Sequence, residues 1–556
     1  MRSLSRSLRE LRGWRRMLTA MLAGALSALA MAPVFAWPVL ALTLPALVWL
    51  IDGAVAARAS AQGAPTATPG GLPCVPRTRK AAWIGWCFGF GYFLAGLYWI
   101  GEAFLVEAER FAWLLPFAVS LMPAGLALFF ALGTALAQLA WSNGPMRVLA
   151  LALGLSASEW LRGHVLTGFP WNTLGYALTW PDPLLQAAAW LGIYGLTLVT
   201  VVALCAPAVA WLDAEKATDP MALRRAAVLV PVLLLLPLFA GGHMRLAEAE
   251  ASMNDHVRLR LVQPSIPQRD KWRPELQGRI FAEHLRLSAT NQRGEPAGLT
   301  GITLVIWPEA AMPFLPLEHP DVLQAIANLL PKGVQLVSGA LRIDRSPGAS
   351  GQQRRLIFNS LIAFDDEGRP AAIYDKVHLV PFGEFLPLQA TLEAIGLEQL
   401  SRMKGGFDSG LSPRPLLSLA NLPPFGPLIC YEVIFPTNGF AGQKRPAFLL
   451  NLTNDGWFGH TSGPYQHLHQ TRVRAVMEGL PVIRVANNGV SAVIDGKGRI
   501  LQSLPLNARG VIETGLPPAL PPTFSARFGD LFFLFAEICG FLLIAFRRNL
   551  RRYSTI

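Results

Sequence analysis

The sequence predicts a polytopic α-helical membrane protein of about eight transmembrane helices that carries one α/β domain. Only 15% of the 556 residues are charged, against about 25% in a typical soluble protein, and the mean hydropathy is +0.37. The apolar residues lie in long blocks, whereas charges and short β-type runs return between residues 243 and 527. These features exclude an all-soluble chain, a disordered chain and a disulfide-stapled chain.

Eight apolar stretches approach the length of about 20 residues that a helix needs to cross a bilayer. The first seven predict an N-terminal membrane domain over residues 1–242, and the last predicts a C-terminal helix with a basic tail over residues 528–556. The stretches are 17–31, 35–51, 81–100, 112–141, 147–161, 184–212, 226–242 and 528–546.

The net charge of +12 comes from three short segments beside apolar stretches, at residues 1–16, 52–80 and 547–552. Basic residues flanking transmembrane helices mark the cytoplasmic side of a membrane. Both termini are therefore predicted to be cytoplasmic, and the block 243–527 to lie outside the cytoplasm. Basic residues interleaved with aromatic ones are missing elsewhere, which argues against nucleic-acid binding.

The block 243–527 alternates β-type runs with helical stretches, the pattern of one α/β domain. Polar residues follow two of the runs directly, in Val262-Gln-Pro and in Trp307-Pro-Glu309. Chemistry in α/β folds gathers at such strand ends. The β-type runs are Val257–Val262, Leu304–Trp307, Gln335–Ser338, Leu356–Phe364, Leu428–Cys430, Phe448–Leu452, Val482–Val485 and Ser491–Ile494.

One of the five cysteines, Cys430, lies in this block, whereas Cys74 falls in a predicted cytoplasmic loop and the others in predicted spans. A lone thiol in an oxidising compartment has no disulfide partner, so it is either buried in the core or used chemically. Cys430 ends the apolar run Pro427-Leu-Ile and continues into Tyr431-Glu432. A nucleophile on a strand-to-helix turn has this layout.

A cysteine nucleophile needs a base and a cation or donors for the oxyanion. Glu309 follows a buried run, and a desolvated carboxylate there has a raised pKa and can take a thiol proton. Lys376 can stabilise both the thiolate and the oxyanion. Taken singly, Glu309 also fits a capped loop residue, and Lys376 a surface charge.

Taken together, three separated motifs resemble the carbon–nitrogen hydrolase (nitrilase) superfamily. They are Trp307-Pro-Glu309, Lys376-Val-His-Leu-Val-Pro-Phe-Gly-Glu384 and Cys430-Tyr-Glu432. The resemblance implies a nitrilase-like α-β-β-α sandwich with Glu309 as general base, Lys376 as electrostatic stabiliser and Cys430 as nucleophile.

The whole chain is similar to the apolipoprotein N-acyltransferase family, in which such a domain lies between the seventh and eighth spans. The similarity implies transfer of a fatty acyl chain from a membrane phospholipid, through a Cys430 thioester, to the α-amino group of a diacylglyceryl-cysteine on an apolipoprotein. It also implies a bacterial inner-membrane enzyme with a periplasmic catalytic domain. Further matching segments are Glu159-Trp-Leu-Arg-Gly, Thr167–Trp171, Val262–Trp272, Asn454–Gly459, Arg472–Glu478 and Asn487-Asn-Gly489.

Further residues are expected to support the reaction. The supporting set is Glu384, Tyr431, Glu432 and Trp272, and the substrate-binding set is Trp307, Phe382, Gly383, Asn454 and Trp457. The loop Leu379–Leu388 is expected to act as a lid with Gly383 as its hinge. No metal is expected, because His460, His467 and His469 match no zinc spacing and no second cysteine is available. No cofactor is expected, and the protein is expected to be a monomer.

Three alternatives remain open from the residues. A membrane-anchored amidase would use the same three side chains to hydrolyse a small soluble substrate. A transporter with an outside binding domain would explain the spans but leave Glu309, Lys376 and Cys430 without a role. A Cys/His pair, drawing on His378, His460, His467 or His469, would replace the Glu/Lys pair.

Overall fold

The structure is a computed structural model that describes residues 2–59, 75–142, 144–212, 220–248, 252–345, 355–394, 396, 399–400, 405–435, 440 and 445–553. The predicted loop around Cys74 lies outside the described residues. The chain divides into two compact units. The first comprises Met1–Gly101, Leu114–Glu248 and Thr523–Ile556, and the second comprises Glu102–Trp113 and Ala249–Pro522.

The described residues form nineteen α-helices. In chain order they are α1 Arg2–Glu10, α2 Gly13–Ser27, α3 Leu40–Ala59, α4 Val75–Gly96, α5 Glu102–Leu105, α6 Ala108–Phe111, α7 Leu115–Leu139, α8 Met146–His164, α9 Asp182–Leu185, α10 Ala188–Cys205, α11 Pro207–Leu212, α12 Pro220–Ala247, α13 Gln268–Lys271, α14 Gln277–Ser288, α15 Pro320–Leu329, α16 Gln389–Ala394, α17 Gly463–Glu478, α18 Phe524–Phe528 and α19 Leu531–Tyr553.

The same residues form eleven strands, all in the second unit. They are β1 Asn254–Gln263, β2 Leu304–Ile306, β3 Gln335–Asp344, β4 Leu356–Phe364, β5 Pro370–Asp375, β6 Phe425–Ile429, β7 Phe448–Thr453, β8 Val482–Ala486, β9 Ser491–Ile494, β10 Ile500–Leu504 and β11 Gly510–Leu516.

Four helical stretches of the described chain are long and apolar enough to cross a membrane: Trp37–Val55, Ala108–Leu139, Ala188–Ala210 and Met221–Ala247. The bent pair Arg77–Gly96 and Tyr98–Leu105 makes five if it counts as one span. Three other predicted spans correspond to α2, of 15 residues, and to α8 and α19, which carry charges such as Glu159 and Glu537. Eight spans are therefore not confirmed and stay a prediction.

The helices of the first unit pack closely where small residues meet. A Cβ on Gly89 would lie 2.7 Å from the Cβ of Phe130, so α4 and α7 approach each other only because that position is glycine. Small residues at such contacts are typical of helices that associate in a membrane. The charged side chains of α8 are paired, since Arg147 lies 2.7 Å from Asp52 and Arg162 lies 3.5 Å from Glu159.

The second unit is a two-sheet sandwich with helices outside. One sheet has the order β11-β1-β2-β3-β4-β5, and the other has the order β10-β9-β8-β7-β6. A core of residues from both sheets, such as Ile306 and Ile429, fills the space between them. A second core joins the outer face of the six-stranded sheet to α14 and α15, and α17 packs on the five-stranded sheet. The predicted α-β-β-α sandwich is confirmed.

All eight predicted β-type runs lie in or overlap strands, whereas β5, β10 and β11 were not predicted. Each missed strand lies at the edge of a sheet. An edge strand needs no continuous apolar run, because one of its sides is open to water. Strand β5 begins at Pro370 and β11 at Gly510, residues that weaken a strand pattern in sequence.

Candidate active site

Cys430 lies at the sharp turn between β6 and a short 3₁₀ helix, Cys430–Ile434. Its φ is +49°, a left-handed conformation that a non-glycine residue adopts only when its surroundings hold it there. Two side chains reach its carbonyl oxygen: Asn451 Nδ2 donates over 3.3 Å, and His467 Nε2 lies 3.2 Å away. Cys430 is buried, and these contacts hold its backbone in place.

Glu432, two residues later, fastens this turn to the segment after β5. Its carboxylate accepts hydrogen bonds from the Tyr374 hydroxyl at 2.8 Å, from Arg414 at 3.1 Å and from the backbone N–H of Ile429 at 2.7 Å. It also accepts from the backbone N–H of His378 at 2.9 Å. Burial opposes the charge, yet Arg414 and these donors outweigh it and lower the pKa of Glu432. Glu432 thus stabilises the turn as an ionised carboxylate that accepts several hydrogen bonds.

Glu309, Lys376 and Glu384 form one buried polar chain bridged by Asn359. Lys376 Nζ lies 2.9 Å from Glu384 Oε2 and 3.8 Å from Glu309 Oε1. Asn359 Nδ2 donates to Glu309 Oε1 and to Glu384 Oε1, each over 2.9 Å. The structure therefore brings Glu309 and Lys376 together, with Glu384 as the closer partner of the lysine.

The charges of this chain act on Cys430. Burial raises the pKa of the Cys430 thiol, the Glu309 carboxylate raises it further, and Lys376 lowers it. Burial also raises the pKa of Glu309, against the opposing effect of Lys376. Burial would lower the pKa of Lys376, but the carboxylates of Glu384 and Glu309 outweigh it and raise that pKa. The ammonium of Lys376 thus acts on both the Glu309 carboxylate and the Cys430 thiol.

Two residues of this site were missed from the sequence. Asn359 lies inside the apolar run of β4, and a lone amide in a buried strand was the signal that could have found it. Lys271 ends α13 and is 1% exposed, with its ammonium donating to the backbone carbonyl of Glu309 over 2.9 Å. In the sequence, Lys271 was indicated only by its position next to Trp272 in the segment Val262–Trp272.

A second buried network lies next to Cys430. Asp455 Oδ2 lies 2.6 Å from Arg484 Nη2, and Asp455 Oδ1 lies 2.9 Å from His467 Nδ1. Candidate metal-ligand atoms of Cys430, Asp455 and His467 lie within 4.8 Å of one another. The guanidinium of Arg484 already supplies the positive charge there, which disfavours a cation.

His467 is also the histidine closest to a Cys/His arrangement. Burial lowers its pKa, and Arg484 lowers it further, against the opposing effect of Asp455. Its Nε2 lies within hydrogen-bond distance of the Cys430 carbonyl oxygen. His378 stacks on Phe435 with ring centroids 3.8 Å apart. The contacts of both rings therefore favour a structural role, in which they hold the turn of Cys430, over a role as the base.

A cluster of side-chain amides lies next to this network. Asn454 Nδ2 donates to Gln268 Oε1 over 2.7 Å, and Asn487 Nδ2 donates to Asn454 Oδ1 over 3.1 Å. Asn454 is buried, Trp457 is half-buried and Trp272 is exposed. Asn454 therefore joins the end of β7 to α13.

The position of Trp307 differs from the prediction. Its ring is fully buried, its Nε1 donates to Ser288 Oγ over 2.8 Å, and it packs edge-on against Phe281. Successive strand residues face opposite sides, so Ile306 faces the space between the sheets and Trp307 faces α14. The structure places Trp307 in the core under α14, and the predicted contact with substrate is wrong.

The predicted lid contains a tight turn. Glu384 N–H donates to the Val380 carbonyl over 2.9 Å, and Phe382 N–H donates to the Phe385 carbonyl over 2.7 Å. Phe382 has a φ of +63° and is 56% exposed. A Cβ on Gly383 would lie 3.2 Å from Val380 Cγ1. The turn presents an aromatic ring to its surroundings while Glu384, in the same turn, holds Lys376.

Two family profiles match the chain. The profile described as Apolipoprotein N-acyltransferase N-terminal domain matches residues 23–206. The profile described as Carbon-nitrogen hydrolase matches residues 258–520. Solved structures with similarity include a mutant of Nesterenkonia AN1 amidase from the nitrilase superfamily, 21% identical, covering 47% of this chain and 92% of that one, with a TM-score of 0.32.

Curated relatives match nearly the full length. An apolipoprotein N-acyltransferase of Rhodopseudomonas palustris is 48% identical, with 93% of this chain and 92% of the relative covered. One of Bradyrhizobium diazoefficiens is 44% identical, with 97% of this chain and 96% of the relative covered. Identity at this level over both halves shows that this chain belongs to the apolipoprotein N-acyltransferase family.

Proposed function

We propose that this protein transfers a fatty acyl chain from a membrane phospholipid to the α-amino group of the N-terminal diacylglyceryl-cysteine of apolipoproteins. Family membership supports N-acylation of lipoproteins. The observation that carries the mechanism is Cys430, held on a strained turn in a site where the charges of Glu309 and Lys376 act on its thiol. Covalent catalysis by a cysteine needs a base and a cation that act on the nucleophilic thiol.

In the first half-reaction, the Cys430 thiol gives its proton to Glu309 and its sulfur attacks the ester carbonyl of the phospholipid. Lys376 stabilises the thiolate and the tetrahedral oxyanion, together with the backbone N–H of Tyr431. The intermediate breaks its bond to the glycerol oxygen, which takes the proton from Glu309. A thioester on Cys430 and a lysophospholipid result.

In the second half-reaction, the neutral α-amino group of the acceptor attacks the thioester carbonyl. Glu309 accepts the proton of the amine, and the carbon–sulfur bond breaks. The thiolate leaves beside Lys376 and takes the proton back from Glu309. The products are the amide and free Cys430, which completes a ping-pong cycle.

The supporting roles follow from the contacts. Glu384 holds Lys376, and Glu432 holds the turn that carries Cys430. Trp272 and Phe382 contact the substrates through their exposed rings, the half-buried Trp457 adds a further contact, and Gly383 is the hinge of the lid. Asn454 orients the segment before Trp457. The lid keeps water from the thioester, because water would turn transfer into hydrolysis.

We place the protein in the bacterial inner membrane as a monomer, with both termini cytoplasmic and the catalytic domain, residues 243–527, in the periplasm. The apolar helices over Trp37–Val55 and Met221–Ala247 support a membrane location. Both acyl substrates reside in a bilayer, so an enzyme held there meets them without extracting their chains into water.

The second candidate function is hydrolysis of a small periplasmic amide by the same side chains. The match of the carbon–nitrogen hydrolase profile to residues 258–520 is the observation that favours it. It leaves the first unit, with its long apolar helices, as an anchor alone.

One assay separates the two functions. Purified protein is incubated with phospholipid vesicles and a synthetic diacylglyceryl-cysteine peptide, and the peptide mass is followed. We expect the peptide to gain one acyl group, and Cys430→Ser to abolish the gain. Release of free fatty acid with no acylated peptide, or release of ammonia from a small amide, would contradict acyl transfer and support the hydrolase.

A further inference from the structure

The site holds two buried lysines, and their partners differ. Lys376 Nζ lies 2.9 Å from a carboxylate oxygen of Glu384 and 3.0 Å from the other. Lys271 is equally buried, but its ammonium donates to a neutral acceptor, the backbone carbonyl of Glu309. Within the described part of the chain, no carboxylate oxygen lies within 4.0 Å of Lys271. A buried cation without an adjacent anion is costly and is therefore found mainly where its charge is used.

The groups that face Lys271 are Glu309, Cys430 and His284. Burial lowers the pKa of Lys271 to about 8, while Glu309 and Cys430 oppose the fall, so the ammonium is charged at neutral pH. Burial lowers the pKa of His284 to about 4, so that ring carries no charge. Its Nδ1 lies 2.8 Å from the Ile280 carbonyl, and its Nε2 has no hydrogen-bond partner.

The charges of the site form two groups, one around Lys376 and one around Lys271. Glu384 and Lys376 form a buried ion pair, which offsets part of the charge that the Lys376 ammonium exerts on Cys430 and Glu309. Under the proposed mechanism, the other charges are the ammonium of Lys271 and the single negative charge that Cys430 and Glu309 share with one proton. Asp455, which also acts on Cys430, is neutralised by Arg484 at 2.6 Å.

We infer that Lys271 is a positioning residue whose ammonium keeps the Cys430–Glu309 pair at one proton, and that it holds the Glu309 backbone while doing so. The step it supports conserves charge: Cys430–SH and Glu309–COO⁻ become Cys430–S⁻ and Glu309–COOH. A nearby cation disfavours uptake of a second proton, which would leave a neutral acid beside a neutral thiol with no nucleophile. This inference rests on the proposed role of Cys430 as nucleophile.

The test measures alkylation of Cys430 by iodoacetamide as a function of pH, read on the Cys430 peptide by mass spectrometry and without lipid. Lys271→Gln removes the charge but keeps a donor for the Glu309 carbonyl, and Lys271→Arg keeps both. We expect Lys271→Gln to move the acid limb of the rate upward by about one to two pH units, with Lys271→Arg close to wild type. Lys271→Met is a second neutral variant if the Gln variant does not fold.

Arg260 provides the matched control, because it is a buried cation that also donates to backbone carbonyls, those of Ser288 and Gly298. Arg260→Met should leave the acid limb in place. A neutral Lys271 variant that lowers the rate by the same factor at every pH would overturn the inference and leave Lys271 with a structural role. A wild-type Cys430 that reacts no faster than Cys539 would instead contradict the nucleophile itself.

Discussion

At the scale of single residues, the site works through buried charges whose partners are fixed. Glu309 receives a hydrogen bond from Asn359, Lys376 is held by Glu384, and Lys271 donates to the Glu309 carbonyl. Burial strengthens each interaction, because little water is present to screen it. The same burial makes the loss of any one partner expensive.

The pH dependence of acylation should report on Glu309. Because burial raises its pKa, the carboxylate becomes protonated at a higher pH than the ordinary value of about 4.3. Activity should therefore disappear as pH falls through that raised pKa. Glu309→Gln should lower kcat/KM by about 10²- to 10⁴-fold and remove the acid limb. Exposed Glu367→Gln is the control, and near-full activity of Glu309→Gln would show that another group is the base.

The pairing of Lys376 with Glu384 should appear in stability as well as in rate. Glu384→Gln leaves a buried ammonium without its closest anion, a loss of about 3–5 kcal/mol for pairs of this kind. Glu367→Gln breaks an exposed pair with Arg369 and should leave stability nearly unchanged. Thermal unfolding of the two variants in detergent measures the difference, and equal shifts would contradict the pairing.

At the scale of elements, two turns present the reactive groups. The turn after β6 holds Cys430 at a φ of +49°, and Glu432 ties it to the segment that carries Lys376. The turn Val380–Phe385 exposes Phe382 and also contains Glu384. A movement of this second turn would therefore reach Lys376 directly, through one ion pair.

Phe382 offers a test of that turn as a substrate contact. Phe382→Ala removes an exposed ring, so folding should be unaffected while acyl transfer falls by about tenfold, the effect of about 1.4 kcal/mol of lost contact. Ile500→Ala, an exposed apolar residue on edge strand β10, should leave transfer unchanged. Equal rates for both variants would exclude Phe382 from binding.

The hinge at Gly383 has its own test. Gly383→Pro restricts the backbone of the turn and places atoms close to Val380 Cγ1, where even a Cβ would lie at 3.2 Å. We expect turnover to fall while alkylation of Cys430 persists, because the thiol itself is untouched. Full transfer activity in this variant would refute the lid.

The sequence predicted the elements that are apolar or carry reactive groups, and missed those defined by tertiary contacts. Central strands such as β7 were evident as apolar runs, whereas edge strands such as β10 were not. The direction of Trp307 was missed because a motif names a residue without saying which side of the sheet it faces. Lys271 was missed because the burial of a lysine depends on distant parts of the chain.

At the scale of the whole molecule, two units divide the chain, and the segment Glu102–Trp113 groups with the second although it lies among helices of the first in sequence. Four or five helical spans meet the length and composition expected for crossing a membrane. Eight spans are predicted, but α8 and α19 are not among these four or five. Both helices contain charged residues.

Reporter fusions test the proposed orientation. Alkaline phosphatase fused after Pro522 should be active, and a fluorescent protein fused after Ile556 should fluoresce, because the last span returns the chain to the cytoplasm. Alkaline phosphatase fused after Lys80 should be inactive. An active fusion after Lys80, or a dark one after Ile556, would contradict the eight-span arrangement.

The central claim, acyl transfer through a Cys430 thioester, is tested most directly by the intact mass of the purified protein after incubation with phospholipid alone. The account predicts the addition of one fatty-acyl group, lost on treatment with hydroxylamine and absent in Cys430→Ser. Folded protein that gains no acyl group under conditions where the full assay acylates the acceptor peptide would contradict it.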